Sequence, residues 1–175
     1  MARKEIQEMI IGIDPGAKGG VALVTQLGKA QDLFSAAPMP MKDPPKGKKP
    51  VVDVITLFRV LHGVASGWAT DVVYLENVHA MPRQGVSSTF QFGRTFGAIE
   101  AAADLARLRI RYVEPRVWKK YFGLKGDDKH ASVRKATELY GDEFWPAGPR
   151  GGQPYEGVAE AALIATYGLA QEQKG

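Results

Sequence analysis

IIGIDPGAKGGVALV, residues 10–24, is the stretch on which the fold turns. The apolar run from Met9 to Ile13 has the length and β-branched content of a buried strand, and Asp14-Pro15-Gly16 ends it. AKGG is a tight glycine-rich turn, and residues 19–24 form a second strand. Residues 31–36 extend this to a third, giving an antiparallel meander. The chain then enters PMPMKDPPKGKKP, residues 38–50, whose five prolines and four lysines indicate a mobile loop. Beyond it the periods alternate. A helix is expected over 52–69, a strand over 72–78, a long helix over 89–108 and a strand over 110–113. Three helices follow at 116–122, 127–140 and 157–170, with a second mobile loop at 146–154. The order βββαβαβ plus C-terminal helices is α/β: a three-layer fold with a mixed central sheet. No repeat or linker divides residues 1–175, so a single domain is expected.

Composition narrows the chemistry. The chain has 175 residues, 45% apolar and 24% charged, and no cysteine. Disulfide scaffolds, cysteine-bound zinc and thiol catalysis are excluded. No apolar run approaches the roughly 20 residues of a membrane helix, and the N-terminus does not have the pattern of a secretory signal. A cytoplasmic protein without membrane attachment or organic cofactor is expected. The net charge of +4 conceals a polarised distribution. Residues 107–135 hold ten Lys/Arg against three acids, whereas residues 136–175 hold six acids against two cations. A basic segment beside an acidic one suits a polyanion together with a metal; an unevenly charged solvated surface would read the same way.

Four acids stand out. Asp14 ends the first strand. Glu76 lies inside the apolar run VVYLENV, and Glu156 and Glu160 share one face of a final helix that is otherwise VAEAALIA. Asp14 could simply form its turn, and Glu156 could complement a helix start. Glu76 and Glu160 occupy segments of interior composition, where a carboxylate is unfavourable unless something pairs with it. Two carboxylates about 5 Å apart repel by about 3 kcal/mol at an effective dielectric near 20, and a divalent cation offsets that. Oxygen-only ligands favour Mg²⁺, or Mn²⁺ in its place, over Zn²⁺. Acids on separate elements suit two-metal phosphodiester hydrolysis, with two ions per site.

Five segments occur in one order: IIGIDPGAKGGVALV, VVYLENVHAMP, FQFGRTFGAIEAA, EPRVWKKYFGLKGDDKHASVRKA and YEGVAEAALIATYG. Together, over residues 9–169, they resemble the RuvC-type Holliday junction resolvases, and most of all their bacteriophage-like branch. The resemblance implies an RNase H-like fold, a homodimer and paired, Mg²⁺-dependent nicking of opposed strands in a four-way DNA junction. Asp14, Glu76 and Glu160 match the family's strand and helix acids. Glu156 stands where that branch usually has Asp. Lys119 and Lys129 fall where the family places phosphate-binding lysines.

The loop after Glu76 leads from the acids into the long helix, which makes Arg83, Ser87, Ser88 and Arg94 candidate DNA contacts and His79 or Met81 candidate base-packing residues. Two scissile strands related by a two-fold axis call for two chains with the same patch on each. The candidate patch is Phe92, Gly93, Phe96, Gly97 and Ala101, with Ile99 adding area; the competing reading is that the glycines only let the helix approach its own sheet. Other functions remain beside this one. A nuclease of the same fold could process ribosomal RNA precursors, and a catalytically weak junction-binding protein could carry a degenerate acid set. Sugar kinases and chaperone ATPases also begin with a strand and D-x-G, but they need two lobes and a longer chain.

Overall fold

The computed structural model describes residues 6–27, 30–47, 49–67, 70–79, 85–125, 128, 130–141, 145 and 155–174. Strands β1 (Ile6–Asp14), β2 (Gly20–Leu27) and β3 (Ala30–Pro38) form the expected meander. β6 (Val72–Glu76) adds in parallel to β1, and β7 (Arg109–Val113) in parallel to β6. The five-stranded mixed sheet therefore runs β3-β2-β1-β6-β7.

Helices α1 (Val54–Gly67) and α2 (Val86–Leu105) cover one face. α3 (Pro115–Tyr121), α4 (Ala131–Tyr140) and α5 (Glu156–Glu172) cover the other. The period-2 alternation of strand side chains assigns the layers. Met9, Ile11 and Ile13 pack with Leu57, Leu61 and Ile99, whereas Ile10 turns to the α5 side. Val73 and Leu75 likewise face α1 and α2, and Val72 and Tyr74 face α5. By the same parity Asp14 and Glu76 belong to the α5 face. Ile13 pairs with Leu75, so the two acids end adjacent parallel strands side by side.

α5 is buried on nearly every side, as its composition implies. It can lie this close because Gly12 presents no side chain: a Cβ there would fall 2.2 Å from the Ala161 carbonyl oxygen.

Several boundaries differ from the sequence reading, and three have a local cause. Residues 51–52 form strand β5 (Val51–Val52), paired with β4 (Met41–Lys42), so the proline-rich segment is tied at both ends, and Met39 is buried. Asp53 ends that ladder and opens α1, accepting from the Thr56 backbone N–H at 3.3 Å and hydroxyl at 2.8 Å. α2 starts and stops three residues early. It closes when Arg107 turns to φ 60° and the Leu108 N–H reaches the Ala103 carbonyl at 3.0 Å, which returns the chain to β7. α4 begins at Ala131, later than expected, and ends at Gly141 with φ 83°. The loop expected at 146–154 lies outside the described residues. No described helix is long and apolar enough to cross a membrane.

Candidate active site

The C-terminal ends of β1 and β6 deliver Asp14 and Glu76, and the first turns of α5 deliver Glu156 and Glu160. Gly157 brings these elements together. A Cβ on it would lie 2.1 Å from the Lys18 carbonyl oxygen and 2.7 Å from Asp14 Oδ2, so the N-terminus of α5 rests directly on the β1–β2 turn. An isolated bridge between Gly19 and Gly157 fixes this approach.

Glu76 is 5% exposed, and its Oε1 accepts a 2.8 Å hydrogen bond from the indole N–H of the fully buried Trp118. The next residue on α3, Lys119, places its ammonium 2.9 Å from Glu160 Oε1. That same oxygen accepts from Ser132 Oγ of α4 at 2.9 Å. Adjacent residues of one short helix thus hold two acids from two different elements. Pro115 opens this helix, as its position suggests.

The electrostatics are those of crowded carboxylates. Burial pushes Asp14 well above the usual carboxylate range; the charges of Glu76 and Glu160 add to this, Lys119 opposes it, and Glu156 makes a smaller contribution. Burial raises Glu76 to about 7; the Trp118 hydrogen bond pulls the other way, Glu160 raises it further, and Lys119 lowers it. Burial disfavours the Lys119 ammonium, but the Glu160 charge and hydrogen bond, with Glu76 and Asp14 behind them, hold its pKa above the ordinary lysine value.

The donor set suits a hard divalent cation: oxygen only, from three elements, with an excess of negative charge. Among the described residues, no three His, Asp or Glu side chains stand close enough together to hold one ion. Lys119 supplies a counter-charge to the acids.

Asp14, Glu76 and Glu160 lie within electrostatic reach of one another. Glu156 is exposed at the first residue of α5, within electrostatic reach of Asp14. Lys119 belongs to the acid cluster and is not a free surface lysine. Lys129, Arg83 and Met81 lie outside the described residues. Ser87 and Ser88 are exposed in the first turn of α2, and Arg94 is exposed with its guanidinium 5.9 Å from the Phe90 ring centroid. Gly93, Gly97 and Ala101 are exposed. A Cβ on either glycine would meet nothing within 4 Å, so these glycines do not serve close approach to the chain's own sheet. Phe92 and Phe96 are half-buried, and Phe96 packs on the chain's own core. Ile99 is fully buried in that core, and this corrects its expected place on an external patch.

Sequence reasoning missed Trp118, Ser132 and Gly157. It also missed the network in which Glu114 Oε1 accepts from Asn77 Nδ2 at 2.7 Å and lies 3.3 Å from His79 Nε2. The available signals were Trp118 beside a candidate lysine and Gly157 between two acids.

Solved structures share this architecture. Thermus thermophilus RuvC in complex with a Holliday junction substrate superposes with a TM-score of 0.63 at 18% identity, covering 97% of this chain and 97% of that one. A second Thermus thermophilus RuvC structure gives 0.61 at 18% identity, over 94% and 97%. The yeast mitochondrial Holliday junction resolvase gives 0.55 at 14% identity, over 90% and 75%. At these identities the likeness establishes the fold, which is RNase H-like as in the RuvC resolvases. No family model and no curated protein matches the chain.

Proposed function

We propose that the chain is a structure-specific DNA endonuclease that resolves four-way junctions by Mg²⁺-dependent phosphodiester hydrolysis, acting as a homodimer. The observation that carries this reading is the mutual electrostatic coupling of Asp14, Glu76 and Glu160, delivered by β1, β6 and α5, within a fold whose solved examples include a resolvase on its junction. Asp14, Glu76 and Glu160 would hold the metal, with Glu156 at the margin. Bound Mg²⁺ supplies Lewis-acid stabilisation of the phosphodiester and activation of water. The chain's own residues orient that chemistry. Trp118 fixes one oxygen of Glu76, and α3 carries exposed Arg116 and Lys120 beside the site, where backbone phosphates would lie.

The exposed stripe of α2 supports a second copy as partner. Val86, Phe90 and Leu105 are 87%, 67% and 65% exposed, and with Gly93, Gly97 and Ala101 they recur at three- and four-residue spacing along one face. A two-fold axis through this face would set two sites against two opposed strands.

A labelled four-way junction and an RNA precursor, each incubated with the protein and Mg²⁺, test the reading. Junction nicking with intact RNA is expected. RNA cleavage with an intact junction would transfer the function to RNA processing, and tight junction binding without cleavage would leave a binding module. The bacteriophage-like affiliation rests on the sequence motifs.

A further inference from the structure

We propose that Lys119 is a positioning residue that keeps Glu160 in reserve: its ammonium pairs with the carboxylate that would ligate a divalent cation, and DNA phosphate draws it away, so that metal and junction bind cooperatively. This rests on the reading above, in which these carboxylates hold the metal.

Glu160 Oε1 already accepts two donors, Lys119 Nζ and Ser132 Oγ, each at 2.9 Å. Those two bonds use both in-plane lone pairs of that oxygen. One of these donors must therefore leave before Oε1 can ligate a metal, and an ammonium 2.9 Å away competes with a dication for the same carboxylate whichever oxygen it takes. The Trp118 ring centroid, 5.0 Å from the ammonium, adds a second inward hold. The way out is open, because the Lys119 side chain is 32% exposed against 14% for Glu160.

An ammonium released beside a dication is repelled and needs a new anion. A polyanion lying along the exposed Arg116 and Lys120 of the same helix supplies one. Phosphate that binds Lys119 thereby frees Glu160 for metal, and linkage makes the effect reciprocal: metal on Glu160 frees Lys119 for phosphate.

The first measurement is Mn²⁺ binding to the DNA-free protein, followed through the electron paramagnetic resonance signal of free Mn²⁺. Lys119→Met and Lys119→Gln should each bind Mn²⁺ about fivefold tighter than wild type or more. Using both substitutions guards against one that fails to fold. Lys120→Met, which removes an exposed charge from the same helix, should change binding far less. Mn²⁺ affinity in both Lys119 variants equal to or weaker than a measurable wild-type affinity would overturn the inference and leave the metal reading intact. No Mn²⁺ binding in any of the proteins would remove both. The second measurement is the ratio of junction Kd in EDTA to that in Ca²⁺. Effects of Ca²⁺ on the DNA itself cancel between proteins, so the ratio should be several-fold larger for wild type than for Lys119→Met. Equal ratios would overturn the coupling to phosphate.

Discussion

Glu76 concentrates the energetics of the site in one side chain. Its burial and its acidic neighbours raise its carboxyl to about 7, above the ordinary value of 4.5. A group raised on folding stabilises the fold fully below its unfolded pKa, and that contribution is lost as pH rises through the folded value. In EDTA, wild-type stability should therefore fall between pH 4.5 and pH 7 by up to about 3 kcal/mol from this group, with Asp14 shifting the same way. Glu76→Gln keeps an oxygen to accept the Trp118 N–H and carries no charge, so denaturation in EDTA at pH 5 and pH 8 should show a shallower loss. Parallel pH profiles for the two proteins would sink this account of the charge. The same substitution should abolish nicking and leave junction binding in place, since it changes the charge balance of the acid cluster and not the surface; wild-type turnover would remove Glu76 from the chemistry.

At the scale of elements, glycines separate packing from interface. At Gly157 an added methyl meets backbone at 2.1 Å and 2.6 Å, so α5 must move away from the β1–β2 turn. Gly157→Ala should destabilise by on the order of 1–3 kcal/mol and lower nicking beyond what stability explains, because Glu156 and Glu160 move with the helix. Unchanged melting and nicking would mean the approach is not needed. Gly97 lies in open space on one chain, so Gly97→Ala should leave the monomer fold sound, with a helix-propensity gain of about 1 kcal/mol. Gly97→Leu should yield a folded monomer that binds junctions poorly. Sedimentation decides this, and a wild type that is monomeric at micromolar concentration would refute the interface. Most of the elements were legible because each has its own period or punctuation. Residues 51–52 were not, since β5 exists only through its pairing with β4 across a proline-rich segment. The external face of Gly93 and Gly97 was the reading the sequence favoured, and the open space around both glycines removes the competing one, close approach to the chain's own sheet.

Over the whole molecule, the acids could be found from sequence, and what holds them could not. Glu76 and Glu160 were conspicuous as carboxylates in interior segments. The bonds from Trp118 and Lys119 join α3 to β6 and α5 across more than 40 positions in each case, and no local periodicity encodes such pairs. The basic region should act collectively on DNA. Lys119→Ala should weaken junction binding and reduce the log–log salt slope by roughly one unit if one phosphate contact is lost. An unchanged slope would mean that Lys119 serves the acid cluster alone. The central claim, paired metal-dependent resolution, is tested most directly with a four-way junction labelled on each strand in turn and a linear duplex of the same sequence, incubated with and without Mg²⁺. Symmetrical nicks in two opposed junction strands, only with Mg²⁺ and not in the duplex, are the expected result. An intact junction in Mg²⁺, or equal cutting of the duplex, would contradict the claim.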